Sequence, residues 1–155
     1  MSIELVQANV TDAEEIWKMQ KSAFAELFEK YKDFDTSPAN EPLDKVIMRL
    51  RQPFTYFYFI RLNGRNIGAI RVVDKKPSTE PKRISPLFIL PEFRNKGYAQ
   101  SAILQAENIH GALNWELETI LQESAICHLY EKTGYRKTNR IKEINTNMTL
   151  IFYKK

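Results

Sequence analysis

Residues 84–102 read Ile-Ser-Pro-Leu-Phe-Ile-Leu-Pro-Glu-Phe-Arg-Asn-Lys-Gly-Tyr-Ala-Gln-Ser-Ala. They leave the chain little freedom. The apolar run that ends at Pro91 has the length and composition of a strand. A short polar turn follows, and from Gly97 the apolar residues Ala99, Ala102, Ile103 and Ala106 recur at helical spacing. A strand that passes through a short loop directly into a helix is a unit of α/β architecture. In that loop Arg94 and Lys96 supply two cations, Gly97 has no side chain and Ala99 has only a methyl. Backbone can therefore come close to a large anion, and the unpaired amides and positive dipole end of the helix's first turn face it. The stretch lacks both the Gly-x-x-x-x-Gly-Lys-Ser/Thr loop of nucleotide hydrolases and the Gly-x-Gly-x-x-Gly of dinucleotide binders. By itself it reads equally as a tight turn with solvated cations.

The flanking pattern supplies the rest of a sheet-and-helix domain. Residues 3–7 form a short strand, and a capping box from Thr11 to Glu14 opens a helix whose apolar face is Ile16, Met19, Ala23 and Leu27. Residues 32–41 are a polar loop. Pro42 suits the first position of a second helix carrying Leu43, Val46, Ile47 and Leu50, and Pro53 closes it. Strands over 56–62 and 66–73 are joined by Asn63-Gly64, a type I′ hairpin signal. Pro86 inside the next strand removes an amide and predicts a bulge or a local edge. The helix after Gly97 runs to His110, with Gly111 as its C′ residue, and His110 reads as a helix-end cation or a core residue. A strand over 115–121, a helix from about 125 to 134, a polar stretch over 137–147 and a closing strand over 148–153 complete the chain.

At 155 residues one well-filled core is expected, a single domain spanning 1–155. Net charge is +4, with 23 Lys and Arg interspersed among 19 Asp and Glu, so charge does not choose between an anionic cofactor and nucleic acid. Cys127 is the one cysteine, which excludes an intramolecular disulfide and suits a reducing compartment. The N-terminus has no secretory pattern and no stretch has the length of a membrane span, so a cytoplasmic protein is expected.

The loop Arg94-x-x-Gly97-x-Ala99, behind a strand ending in Leu90-Pro91-Glu92, resembles the acyl-CoA loop of the GNAT N-acetyltransferases, whose pattern is Gln/Arg-x-x-Gly-x-Gly/Ala. About thirty residues on, Leu129-Tyr130-Glu131-Lys132-Thr133-Gly134-Tyr135 resembles that superfamily's second signature, Leu-Tyr-Glu-Lys-x-Gly-Phe/Tyr. The resemblance spans essentially the whole chain. It implies an α/β (α+β) fold with a mixed, mostly antiparallel sheet of about seven strands, about four flanking helices, and a bulged, splayed cofactor strand. It also implies acetyl-CoA as cosubstrate, no metal, and direct transfer of the acetyl group to a primary amine on a small molecule or peptide. Neither nucleic acid nor membrane is an expected partner, and a homodimer is compatible with it.

Within the resemblance, main-chain groups of Phe88, Ile89 and Leu90 would pair with the pantetheine arm. Amides of Arg94, Asn95, Lys96, Gly97, Tyr98 and Ala99 would hold the diphosphate. Tyr130 matches the tyrosine that protonates the departing thiolate; a phenol of pKa about 10 keeps its proton at pH 7 and can pass it to a thiolate of pKa about 8.5. Its other reading is a core residue on one helical face with Ile126 and Leu129. The glutamate that family members often carry on the cofactor strand is missing from Lys82-Arg83-Ile84-Ser85. Glu123, Glu80, Glu29, Asp33 and Asp35 remain as candidate bases, acting through water. Glu123 also stands seven residues before Tyr130, where the second motif usually begins with a cofactor-holding Asn, and Ser124 is the available substitute.

The first two helices and their loop form one wall of the family's acceptor site. Here that segment offers Glu29, Tyr31, Asp33 and Asp35 as substrate-binding candidates, a set that favours a cationic amine. The missing strand glutamate keeps a second expectation alive, a non-catalytic acyl-CoA-binding or sensor module of the same fold. Cys127, the one thiol, lies in a helix without an evident His or Asp partner, which argues against a covalent enzyme intermediate.

Overall fold

The computed structural model describes residues 2–155. In chain order the elements are β1 (Glu4–Gln7), α1 (Ala13–Tyr31), α2 (Leu43–Arg51), β2 (Thr55–Leu62), β3 (Arg65–Val73), β4 (Lys82–Ile89), α3 (Tyr98–His110), β5 (Trp115–Ile120), α4 (Ser124–Lys132), β6 (Arg136–Asn145) and β7 (Met148–Lys154). The seven strands form one sheet in the order β1-β2-β3-β4-β5-β7-β6. Every neighbouring pair is antiparallel except β4 and β5. Among the described residues no helix is long and apolar enough to cross a membrane.

Local chemistry sets the element ends. The capping box before α1 sits two residues earlier than expected, at Asn9 and Asp12. The Asn9 side chain accepts the Thr11 amide at 3.0 Å while Asp12 takes the Asn9 amide at 2.9 Å. This box closes a 3-10 turn over Val10–Asp12 that uses up Thr11 and runs straight into the helix. α1 stops where Lys32 turns left-handed at φ 53°, its amide bonded back to Phe28 O at 2.7 Å. Asn63 and Gly64 take φ 51° and 78°, the two positive values that a type I′ hairpin requires.

The stretch over 137–147 was expected to be irregular and is largely strand. β6 is an edge strand of ten residues paired with β7. Solvent wets most of it on both faces, so it carries no alternation of apolar and polar residues from which a strand could be read.

Each face of the sheet has its own apolar layer. α1 and α2 pack Ala13, Ile16, Ala23 and Val46 on Phe57, Phe59, Ala69 and Phe88 of β2, β3 and β4. On the opposite face α3 and α4 bring Ala102, Ile103, Ala106 and Tyr130 against Ile60, Ile70, Trp115 and Tyr153.

His110 belongs to the core. Its Nδ1 lies 2.9 Å from Asp74 Oδ2 and its Nε2 2.8 Å from Tyr58 Oη, all three side chains buried. With Asp74 ionised the ring carries its proton on Nδ1 and accepts from the tyrosine. Burial lowers the His110 pKa below 6.5, outweighing Asp74, so the fold holds the ring neutral. His110→Leu strands the Tyr58 hydroxyl and leaves the buried Asp74 carboxylate with only exposed Lys76, at 3.5 Å, and should cost about 2–4 kcal/mol in thermal or urea unfolding. The unfolded ring binds its proton more readily than the folded one. The stabilising contribution of the neutral form is therefore complete above pH 6.5 and lost as pH falls through the lower folded value. A variant as stable as the parent at pH 7 would show that the chain of three is idle.

Candidate functional site

The site begins where the sheet fails to close. β4 and β5 run parallel but share only two residue pairs, Lys82 with Trp115 and Arg83 with Glu116, and then diverge. β4 is held on its other edge by β3. A Cβ on Gly68 would stand 2.2 Å from the Phe88 carbonyl oxygen and 3.1 Å from Ile89 Cα, so the two backbones approach more closely than any side chain permits. The bulge expected from Pro86 is present. The Ser85–Pro86 peptide is cis, and the β3/β4 register shifts between Ile70 and Val72. Buried Arg71 sits in that shift, donating Nε to the Ser85 carbonyl, and its burial lowers its pKa to about 10.

Divergence leaves one edge of β4 unpaired. The Leu90 amide donates to Ile67 O at 2.8 Å. By the alternation of an antiparallel ladder Phe88 also turns its polar groups to β3, while Leu87 and Ile89 turn theirs to the gap. Of the three expected backbone positions, then, Ile89 faces the gap and Phe88 and Leu90 face the neighbouring strand. Leu87 joins the gap set. The Ile89 carbonyl is already taken by Arg94 Nε at 2.9 Å.

At the end of β4 the chain turns through a 3-10 turn over Pro91–Phe93 into the loop before α3. Asn95 and Gly97 adopt φ 63° and 82°. Backbone amides from Asn95 to Gln100 find no acceptor among the described residues. A Cβ on Gly97 would meet nothing within 4 Å, so the space beside Gly97, in the middle of these six amides, is open. Lys96 is exposed beside them. Arg94 turns inward instead, with Nη2 on the Ala23 carbonyl and Nε on Ile89, and its guanidinium fastens the loop to α1 and β4.

The gap between β4 and β5 opens into a cavity of about 200 Å³. Ser85, Pro86 and Leu87 form one wall and Glu118, Thr119 and Ile120 the other. Phe24, Leu27 and Tyr31 of α1 roof it, and Ile126 and Tyr130 of α4 reach it from the opposite face of the sheet. Tyr130 is 7% exposed, edge-on to Tyr135 at 5.9 Å. Its hydroxyl bonds no other described residue. Burial, then Cys127, pushes its pKa above the usual 10, so the phenol keeps its proton at neutral pH.

Two carboxylates line the cavity, Asp33 and Glu118. Asp33, expected to meet substrate, accepts the amides of Asp35 at 3.2 Å and Thr36 at 2.9 Å and the Thr36 hydroxyl, so it caps its own loop. Glu118 was not singled out from the sequence. Its Oε2 accepts Arg83 Nη2 at 2.9 Å, and Arg83 also reaches Glu116 at 3.0 Å. The alternation Trp115-Glu116-Leu117-Glu118 places both glutamates on one face, and this was the available signal.

The remaining expected residues sit at the rim or outside. Glu123 takes Lys30 Nζ at 2.7 Å and the Tyr31 hydroxyl. Burial would raise its pKa, but those two hydrogen bonds outweigh it and hold the carboxyl below the usual range. Tyr31 is fixed further by Asn145 Nδ2, which donates to its carbonyl at 2.9 Å. This latch ties the end of α1 to the start of α4, where Ser124 is exposed. Glu29 is exposed and paired with Lys32 at 2.7 Å, and Asp35 is exposed; neither lines the cavity. Glu80 pairs with Lys75 in an outer loop. Cys127 is buried with Sγ 3.5 Å from Ile120 O, and it does not line the cavity.

No curated protein matches the sequence. Several solved structures share the fold. The ribosomal-protein-S18-alanine N-acetyltransferase from Escherichia coli is similar with TM-score 0.76 at 12% identity, over 97% of this chain and 91% of its own. Spermidine N-acetyltransferase from Vibrio cholerae, in complex with CoA and spermine, gives 0.75 at 15% identity over 98% and 94%. The PaiA N-acetyltransferase from Thermoplasma acidophilum, in complex with coenzyme A, gives 0.69 at 19% identity over 100% of both chains. The acetyltransferase (GNAT) domain family matches residues 53–137, a span that holds the diverging strands, the amide loop and Tyr130. With more than half of its length matched and the whole fold shared, the chain belongs to the GNAT family of acetyltransferases.

Proposed function

We propose that the protein transfers an acetyl group from acetyl-CoA to a primary amine by direct attack in the β4/β5 cavity. One observation carries the reading: a tyrosine hydroxyl with no bond to any other described residue and a carboxylate line a single cavity at the mouth of an open strand edge. Acetyl-CoA would supply the activated acetyl thioester. The residues present suit it. Leu87 and Ile89 offer backbone groups to an extended pantetheine arm, and the six amides from Asn95 to Gln100, with Lys96, suit a diphosphate. Glu118 accepts a proton from the acceptor ammonium, directly or through one water, and leaves the nitrogen free to attack. As the new C–N bond forms and the C–S bond breaks, Tyr130 gives its proton to sulfur, and the second proton shed by the nitrogen returns to the Tyr130 oxygen, directly or through water, so the enzyme is left with only the Glu118 proton to release. Buried Cys127 takes no part, since its thiol points at the Ile120 carbonyl.

Gly97→Glu tests the amide loop. A carboxylate would enter the open space beside Gly97, so CoA affinity should fall at least about 10-fold, or about 1.4 kcal/mol, by calorimetry on folded protein. Unchanged affinity would remove CoA from that loop. A thiol-release screen of amines and peptides with acetyl-CoA tests the transfer. CoA binding without release for any amine would favour a binding module.

A further inference from the structure

The two faces of the sheet are covered unequally. α1 and α2 pack on β2, β3 and β4, and the end of α1 reaches over the cavity to Asn145 of β6, but among the described residues no helix packs extensively on the same face of β7 and β6 beyond it. This bare half-face adjoins the cavity, which takes Glu118 and Ile120 from β5 and Met148 and Leu150 from β7. Register fixes what else it carries. Lys154 lies opposite Arg136 and Leu150 opposite Lys142, so these side chains share the face with Phe152. Arg140 stacks its guanidinium 4.2 Å over the Phe152 ring.

Four cations thus line the outer strands: Arg136, Arg140, Lys142 and Lys154, all exposed. Among the described residues none of them forms an ion pair. Glu116 and Glu118, the acids on this face, are both taken by Arg83. On the opposite face Lys137 does find a partner, Glu131, at 4.0 Å. The half-face is therefore polarised, with Glu118 at the cavity and an unmatched basic column on β6.

We propose that this half-face docks the acidic stretch of a polypeptide whose N-terminal amine is the acceptor, an inference that rests on the acetyl-transfer reading. Strand spacing supplies the scale. β6 lies two strands from β5, about 10 Å, which about three residues of extended chain span. An N-terminal ammonium at Glu118 then brings side chains from about the third residue onward over Arg140 and Lys142. The amine and carboxylate of a free amino acid lie too close together to meet both ends. A polynucleotide has no alkylammonium for the carboxylate end, which would repel its phosphates.

The test uses hexapeptides with a common first residue and Glu, Ala or Lys at positions three to five, each assayed for CoA release and, fluorescently labelled, for binding by anisotropy. At low salt the acidic peptide should show kcat/KM at least about 10-fold above the neutral one, and the gap should close by about 0.3 M salt. Arg140→Glu with Lys142→Glu should abolish the preference, and Arg140→Ser with Lys142→Ser should reduce it. Both should leave the neutral peptide and the KM for acetyl-CoA unchanged. No acidic preference, or a preference that survives charge reversal, overturns the docking surface. So does an oligonucleotide of equal charge that binds more tightly with the same variant dependence. Failure of the transfer reading looks different: the acidic peptide binds, and charge reversal abolishes binding, yet no peptide or amine releases CoA.

Discussion

Tyr130→Phe lowers turnover about 10²-fold and leaves CoA affinity within about twofold, the expected result of deleting one general acid while keeping its ring. The ring supports its neighbours edge-on, Tyr135 at 5.9 Å with Tyr153 at 6.3 Å, so phenylalanine preserves the packing. Only the hydroxyl is lost, and it bonds no other described residue, so stability should barely change. Because burial holds the phenol above its ordinary pKa of 10, the parent enzyme should show no loss of activity from Tyr130 ionisation up to about pH 10. Full activity in the variant would return Tyr130 to the core.

Glu118→Gln is expected to cost about 10²–10³-fold in kcat/KM near pH 7, where an alkylamine of pKa about 10.4 is almost wholly protonated. The loss should shrink as pH approaches 10, because the amine then arrives neutral. That recovery separates a base from a residue that merely positions Arg83, since a misplaced arginine would be equally harmful at every pH. Glu116→Gln supplies the control. It removes the other partner of Arg83, at 3.0 Å, but lies outside the cavity, and should change kcat/KM by less than about 3-fold. A Glu118→Gln deficit that does not change with pH would exclude this carboxylate as the base.

What could be read in advance follows the range of the forces involved. The amide loop was legible because its determinants, Gly97 and the orphaned first turn of a helix, are neighbours in sequence. The strand–loop–helix at its centre, the Asn63-Gly64 hairpin and the Pro86 irregularity are local for the same reason. The direction of Arg94 was not legible, since it is chosen by the Ala23 carbonyl on a distant helix. Glu29 and Asp35 flank the cavity in sequence, but the left-handed turn at Lys32 leaves both on the outer surface. Glu118 could be assigned to a face from alternation alone. That the facing wall would be Ser85 to Leu87, and not a paired strand, depends on β4 leaving β5 after two residue pairs, for which no local signal exists in the sequence. β6 had no apolar face to betray it.

The two residue pairs between β4 and β5 make the seven-stranded array two plates butted at one corner, β1 to β4 and β5 to β6. In the proposed reaction the pantetheine arm fills the notch as a removable rib on the face that the α3 and α4 layer, which spans both plates, leaves unbraced. Every catalytic cycle then ends by withdrawing a structural member. Grip and turnover are opposed under that arrangement: a substitution that seats the rib more firmly would stiffen the two plates and delay their emptying.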